Sequence, residues 1–225
     1  MKKILNFCIV AVFFIAACAQ PEAAPDETES QETIEVETPI KATPESTETE
    51  EVEMEKDKVA VVIARDRYQS LEFNPVVSQL KAAGYEVVIL SDEIGMAEGT
   101  QERTEIEMTF RDANPSDFAS IVLIGGSKSL WQNTELHALL NAMQSDGKLV
   151  SAICYGTVTL AYAGVLKEGD KACWYNSSES DPVMKRFGIF DTEADVTLTD
   201  KMITGDGPDA ANEFAANVVD YLNSH

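Results

Sequence analysis

Residues 149–156 read Leu-Val-Ser-Ala-Ile-Cys-Tyr-Gly, and this stretch decides the fold class. Its first five residues form a run of strand length, typical of a strand that is covered on both faces. The run leads directly into Cys154, Tyr155 and Gly156, which predicts a sharp turn from a strand into a helix. Such a turn holds its central side chain above the carboxyl edge of the sheet, where α/β proteins bind their ligands. Cys154 is therefore the first candidate for a functional residue.

The rest of the chain after residue 57 alternates between strand-like and helix-like patterns. Further strands are predicted at 58–64, 86–90 and 120–124, with shorter ones at 105–110, 171–174 and 196–204. Helices are predicted at 75–83, 134–145 and 209–223. This alternation predicts an α/β domain over residues 57–225, with a mostly parallel sheet and helices on both faces.

The charge balance excludes several classes of partner. The 225 residues include 39 acidic and 17 basic ones, which gives a net charge of −22. Phosphates would be repelled by such a chain, so we expect no nucleic-acid partner. The two histidines argue against a His-based zinc site, and no motif indicates a metal or a cofactor.

The first residues carry a targeting signal. Two lysines precede the apolar run 4–17, which is shorter than the ~20 residues of a transmembrane helix. The run ends in Ile-Ala-Ala-Cys at 15–18, which resembles a bacterial lipobox. The resemblance predicts a lipoprotein signal peptide at 1–17 and acylation of Cys18, for example with palmitate. We expect an exported protein anchored to the cell envelope, in the outer membrane if two membranes are present. The alternative is an ordinary secretory signal.

Residues 18–56 are predicted to form an acidic, disordered tether behind Cys18. Residues 19–56 carry a net charge of −11 and few large apolar side chains, so they cannot bury enough surface to offset the entropy of ordering. Binding of a cation or a partner through the acidic run is the competing interpretation.

Four stretches together resemble the ThiJ/PfpI superfamily, which shares its core with class I glutamine amidotransferases. They are residues 61–63, 123–126, 152–156 and 204–208. The resemblance implies a flavodoxin-like, doubly wound sheet over residues 57–223. It also implies one of several activities, because the superfamily includes proteases, glyoxalases, proposed deglycases and redox-sensing chaperones.

On this interpretation Cys154 is the nucleophile. The backbone N–H groups of Gly125, Gly126 and Tyr155 are candidate oxyanion donors, because the two glycines end a neighbouring strand. The helix that follows Cys154 predicts a lowered pKa for its thiol. The competing interpretations are a buried structural thiol and, for the glycines, a tight turn.

The site departs from the superfamily at two positions. The acidic position after the first strand is assigned to Gln69, and Glu72 is left without a role. Tyr155 stands where protease-like members carry histidine, and His137 is predicted to be remote, so we expect no Cys–His protease. Cys173 is predicted to be a packed strand residue, with a disulfide to Cys154 as the alternative.

Two functions follow from these residues. The first is a cysteine-dependent activity, of the hydrolase or lyase type, on small electrophiles or oxidants, in a stress-protective role like that of a glyoxalase or a deglycase. The second is a catalytically lapsed surface domain that binds a small molecule or a protein. A homodimer is possible in either case.

Overall fold

The computed structural model describes residues 57–225, so the predicted signal peptide, Cys18 and the tether lie outside the described residues. The strands are β1 (Lys58–Val62), β2 (Asp66–Tyr68), β3 (Glu86–Ser91), β4 (Gly95–Gly99), β5 (Arg103–Ile106), β6 (Met108–Thr109), β7 (Ser120–Leu123), β8 (Leu149–Ile153), β9 (Lys171–Ala172), β10 (Phe190–Asp191), β11 (Val196–Thr199) and β12 (Met202–Gly205). The helices are α1 (Ser70–Ala82), α2 (Thr134–Ser145), α3 (Tyr155–Ala163), α4 (Ser180–Arg186) and α5 (Ala211–Ser224).

Seven strands form the central sheet, in the order β11-β12-β8-β7-β1-β3-β6. Every neighbouring pair is parallel except β11 and β12, which form an antiparallel hairpin at one edge. Two smaller sheets, β2-β4-β5 and β9-β10, lie outside it. The α/β class with a mostly parallel central sheet is therefore confirmed.

Helices cover the central sheet on both faces because its middle strands are apolar on both. In β1, Val59 and Val61 belong to the core that includes α1 and α5, whereas Ala60 and Val62 belong to the core that includes α2 and α3. Complete burial of a valine or leucine side chain contributes about 1.5–3 kcal/mol. The parallel strands thus bring the carboxyl ends of β1, β7, β8 and β12 to one edge.

Helix α1 begins five residues earlier than the predicted start at Pro75. The side chain of Gln69 caps the helix by accepting a hydrogen bond from the N–H of Leu71. Pro75 lies within the helix and leaves the carbonyl of Leu71 without its helical partner. Leu71 is 49% exposed, so water can satisfy that carbonyl.

The predicted single strand at 196–204 is a hairpin of β11 and β12. Asp200 occupies the turn with a φ of 45°, a left-handed conformation that aspartate tolerates better than most residues. None of the helices within residues 57–225 has both the length and the apolar content to cross a bilayer.

Candidate active site

Cys154 lies at the turn between β8 and α3, as predicted. Its backbone has φ 60° and ψ −127°, and its N–H donates to the carbonyl of Gly205. For a residue other than glycine, such a backbone conformation costs about 1–3 kcal/mol, so the surrounding structure must hold Cys154 there. A Cβ on Gly156 would lie 2.8 Å from the carbonyl oxygen of Leu123. The small residue after the turn therefore lets α3 pack against β7.

Gly125 and Gly126 bring the loop after β7 against the sulfur. A Cβ on Gly125 would lie 2.9 Å from Cys154 Sγ. Gly126 has a φ of 110°, and a Cβ there would lie 2.3 Å from the carbonyl oxygen of Arg67. Neither position has room for a Cβ, so both residues must be glycine. The loop can then approach the sulfur closely enough for the N–H of Gly126 to act on Sγ.

Glu72 is the carboxyl group of the site. It is fully buried on α1, and its Oε2 accepts a hydrogen bond of 2.8 Å from the N–H of Gly125. The carboxyl group also lies close enough to the Cys154 thiol for each group to shift the pKa of the other. Oε1 has no hydrogen-bond partner within residues 57–225, so this oxygen is free to accept a proton from the thiol.

The assignment of the acidic position to Gln69 was wrong in structural terms. Gln69 Oε1 accepts hydrogen bonds from the N–H of Leu71 and from Thr100 Oγ1, at 3.3 and 2.9 Å. Gln69 therefore caps α1, and Glu72, one turn later, reaches the sulfur. The sequence does contain a signal for this arrangement. Glu72 lies on the same buried face of α1 as Phe73, Val76 and Leu80. It is therefore an acidic residue within an apolar stripe.

The oxyanion donors also differ from the prediction. The N–H of Gly125 is occupied by the Glu72 carboxyl group and is not free to bind an oxyanion. The N–H groups of Gly126 and Tyr155 both contact Cys154 Sγ. They are the two backbone donors that lie where negative charge would develop.

Burial controls the ionisation of the two groups. It raises the pKa of Glu72 to about 7, against the opposing effects of the Gly125 N–H and the Cys154 thiol. Burial and the nearby Glu72 carboxylate raise the pKa of the Cys154 thiol, although the N–H groups of Tyr155 and Gly126 lower it. The predicted lowering of this pKa by the helix N-terminus is therefore wrong for the resting site. At rest near neutral pH the sulfur therefore keeps its proton, and Glu72, whose pKa lies much closer to neutral, is the group that can accept this proton when the sulfur reacts.

Tyr155 is fixed beside Cys154. Its hydroxyl group contacts Ser177 Oγ and Glu179 Oε2, each at 3.1 Å, and Glu179 also forms an ion pair with Lys128. Its carbonyl accepts a hydrogen bond from Trp131 Nε1. The tyrosine thus joins the loop after β7 to the start of α4, next to the sulfur.

Neither histidine of residues 57–225 is hydrogen-bonded to Cys154. His137 lies on α2, where its Nε2 contacts the carbonyl of Trp131, and His225 stacks on Tyr221. Glu72 is therefore the titratable side chain that lies against the thiol.

Cys173 has a different environment. Both Cys154 and Cys173 are free thiols, so the alternative of a disulfide between them does not hold in this structure. Cys173 Sγ donates to the carbonyl of Thr204 at 3.0 Å, and burial raises its pKa. Cys173 is thus a packed residue beside β9. No group of three or more metal-binding side chains occurs within residues 57–225.

Known proteins resemble this chain in sequence and in fold. The sequence profile of the DJ-1/PfpI family matches residues 57–221. The uncharacterized protein MJ0967 of Methanocaldococcus jannaschii is 34% identical over 170 residues, which cover 74% of this chain and 82% of that protein. The deglycase PfpI of Pyrococcus furiosus is 31% identical over 124 residues, covering 54% of this chain and 74% of that protein. The crystal structure of a ThiJ/PfpI domain protein from Brachyspira murdochii has a TM-score of 0.71 at 24% identity, covering 76% of this chain and 99% of that one. The chain belongs to the DJ-1/PfpI family.

Proposed function

We propose that this protein is an exported, lipid-anchored enzyme that uses Cys154 to detoxify small electrophilic carbonyl compounds, in the manner of a glyoxalase or a deglycase. The observation that carries the proposal is the buried Glu72–Cys154 pair at a strained strand-to-helix turn. The deglycase name of the Pyrococcus furiosus relative supports the same chemistry. Because the carboxyl group is the acid Glu72 and not an amide, the site has the proton acceptor that the sequence alone did not locate.

The first step forms a bond between sulfur and carbon. As Sγ adds to the aldehyde carbon, the thiol proton passes to Glu72 and the carbonyl π pair moves to oxygen. The N–H groups of Gly126 and Tyr155, which act on the sulfur at rest, would stabilise that oxygen. Glu72 then returns the proton to the oxygen, which gives a hemithioacetal.

A 2-oxoaldehyde can react further without any oxidant or cofactor. Glu72 removes the hydrogen on the former aldehyde carbon as a proton, the electron pair of that bond forms a C=C bond, and the ketone oxygen takes up a proton, which gives an enediol. The former ketone carbon then receives a proton while the hydroxyl group on the former aldehyde carbon loses its own, which leaves a carbonyl group there. The product is a thioester of a 2-hydroxy acid, and water hydrolyses it to the free acid and the Cys154 thiol. One carboxyl group near its pKa serves every transfer, which is the condition that general acid–base catalysis requires.

The test is turnover of methylglyoxal by the full chain, followed as loss of aldehyde and formation of hydroxy acid. Cys154→Ser should abolish turnover, and Glu72→Gln should lower kcat about 10²–10⁴-fold because the proton acceptor is lost. Cys173→Ser is the matched control, since its buried sulfur lies elsewhere, and should retain activity. Activity that survives Cys154→Ser would contradict the proposal. Binding of the aldehyde without any turnover would favour the lapsed binding domain.

The envelope location and a homodimer belong to the same proposal. The lipobox-like residues 15–18 support the location, and a membrane surface would be the partner of an acylated Cys18. Light scattering of the full chain tests the dimer, and a monomer at micromolar concentration would contradict it.

A further inference from the structure

Three cationic side chains lie on the segments that follow β1 and β7, near Cys154, and they differ in whether a carboxylate neutralises their charge. Arg65 is paired with Glu93, and Lys128 is paired with Glu179. Arg67 is exposed and has no carboxylate partner within residues 57–225. In a chain with a net charge of −22, a free cation beside the nucleophile is an exception to the general electrostatic repulsion of anions.

The backbone of Arg67 is in contact with the loop that touches the sulfur. Its carbonyl oxygen would lie 2.3 Å from a Cβ on Gly126, whose N–H contacts Cys154 Sγ. The side chain of Arg67 is exposed and lines an open cavity of about 480 Å³ formed by Arg65 and by residues of β2 and β4. Because the backbone of Arg67 touches the Gly126 loop, its long side chain can turn from this cavity toward a group bound on Sγ.

Neighbouring residues hold the short strand β2, in which Arg67 is the central residue. Asp66 Oδ1 accepts hydrogen bonds of 3.1 Å from the hydroxyl groups of Ser127 and Ser129, and Tyr68 is buried with its hydroxyl group 2.6 Å from Thr104 Oγ1. Arg67 itself has a φ of 54°, which glycine or asparagine would adopt with less strain. A long charged side chain at a strained position next to a site indicates a functional constraint.

We propose that Arg67 selects for anionic substrates, by pairing its guanidinium group with a carboxylate or a phosphate that the reactive carbonyl compound carries. The substrate class in this proposal rests on the proposed function of Cys154. The attraction of anions to the sulfur is independent of that function, because Arg67 should attract any anionic electrophile that reaches Sγ.

The first experiment measures alkylation of Cys154 in the full chain and does not require turnover. Iodoacetate and iodoacetamide differ mainly in charge, so the ratio of their rates reports the local field. At low salt we expect Arg67→Gln to lower this ratio about two- to fivefold at Cys154, and Arg67→Lys to restore most of it. At about 1 M salt, where the Debye length is about 3 Å, the difference should disappear.

Two controls separate a local effect from the overall charge. Lys81→Gln removes one positive charge from the last turn of α1 and should leave the ratio at Cys154 unchanged. Cys173 serves as an internal reference, read by residue-resolved mass spectrometry. Equal ratios in Arg67→Gln and Lys81→Gln would overturn the proposal.

The second experiment concerns the substrate. Arg67→Gln should raise KM for an anionic 2-oxoaldehyde, 3-phosphooxy-2-oxopropanal, and leave KM for neutral methylglyoxal unchanged. An unchanged KM for the phosphorylated aldehyde, with normal turnover, would overturn the substrate class. Failure of the enzyme to turn over either aldehyde would instead contradict the proposed function, while the alkylation result would still decide the role of Arg67.

Discussion

A carboxyl group inside an apolar helix face is the residue that gives this site its chemistry. Glu72 is buried with its pKa near 7, so it can hold a proton or release one near neutral pH. A buried thiol without such a neighbour would have to release its proton to solvent through a nearly closed site, since Cys154 is 6% exposed. Glu72 therefore decides where the proton of the Cys154 thiol goes when the sulfur reacts.

Alkylation and turnover should respond in opposite directions when Glu72 is replaced by glutamine. The amide carries no negative charge, so the thiolate of Cys154 is no longer opposed and its labelling by iodoacetamide at pH 8–9 should hold or rise. Turnover should fall, because an amide cannot accept a proton. Residue-resolved mass spectrometry across pH 5–9 measures the first quantity, and initial rates measure the second.

Replacing Gln69 by alanine is the matched control for this prediction. It removes a helix cap but no group that contacts the sulfur, so the pH profile of labelling should keep its shape. A change of the profile in Gln69→Ala, or parallel losses of labelling and turnover in Glu72→Gln, would contradict the role given to Glu72.

The raised pKa of Glu72 also predicts how stability depends on pH. Between its usual pKa of 4.5 and its folded value of about 7, the folded protein binds more protons at this residue than the unfolded chain does. The free energy of unfolding should therefore fall as the pH rises through this window, by up to about 3 kcal/mol from Glu72 alone. Urea unfolding of the wild type and of Glu72→Gln at pH 5 and pH 8 measures the difference.

Glu72→Gln should have the flatter pH dependence, because glutamine does not titrate. Asp206 also has a raised pKa, but it is present in both proteins and cancels in the comparison. Equal slopes in the two proteins would show that Glu72 is not held partly protonated by burial.

Sequence alone located Cys154, Gly126 and Tyr155 but missed Glu72, for a physical reason. The first three follow from a strand that ends in a small-residue turn, which is a local pattern. The position of Glu72 depends on where α1 begins, and Pro75 suggested a later start. Once Gln69 is seen to cap the helix, the spacing places Glu72 toward the sheet.

At the scale of elements, the turn between β8 and α3 is held by close packing rather than by a side-chain cap. Cys154 makes no capping hydrogen bond, and α3 approaches β7 through Gly156. The strain at Cys154 is thus maintained by the neighbouring strands, which are among the most buried parts of the molecule.

Gly156→Ala should therefore destabilise the turn, although the substitution adds only one methyl group. The added Cβ would lie 2.8 Å from the carbonyl oxygen of Leu123, so α3 must move away and we expect a loss of about 1–3 kcal/mol in the free energy of unfolding. Labelling of Cys154 should change with it. Urea unfolding and alkylation kinetics measure the two effects.

Gly164→Ala is the control on the same helix. Gly164 has a φ of 75° but nothing within 4 Å of an added Cβ, so the substitution adds backbone strain of about 1 kcal/mol without a clash. The rate at which Cys154 is alkylated in Gly164→Ala should match the rate in the wild type. An equal effect of both substitutions on labelling would show that packing at Gly156 does not position the nucleophile.

The boundaries of the strands can be predicted where a strand is one continuous apolar run. They were missed where a turn reverses the chain between two strand-like runs. The central strands β1, β3, β7 and β8 are long apolar runs, which sequence reveals directly. The hairpin of β11 and β12 was predicted as one strand, because its turn contains neither glycine nor proline and is marked only by Asp200.

At the scale of the whole molecule, the location of the domain is the main prediction that the structure does not test. We expect the wild-type protein to sediment with membranes and Cys18→Ser to appear in the soluble exported fraction, because removal of the sulfur prevents acylation. Fractionation of cells that express each form measures this. Cys8→Ser, which changes a cysteine inside the predicted signal peptide, is the matched control and should stay with the membranes. Membrane association that survives Cys18→Ser would contradict the lipid anchor.

The Glu72–Cys154 pair has a consequence for how the surrounding medium responds during a reaction. When the proton moves from sulfur to carboxyl oxygen, the pair carries one negative charge before and after the transfer, so the charge is displaced within the site and none enters or leaves it. The dipoles around the site then reorient only a little during the transfer, and the bulk water reorients even less. For a neutral aldehyde, we therefore expect the rate of the chemical step to be nearly independent of ionic strength, whereas solvent deuterium should slow it.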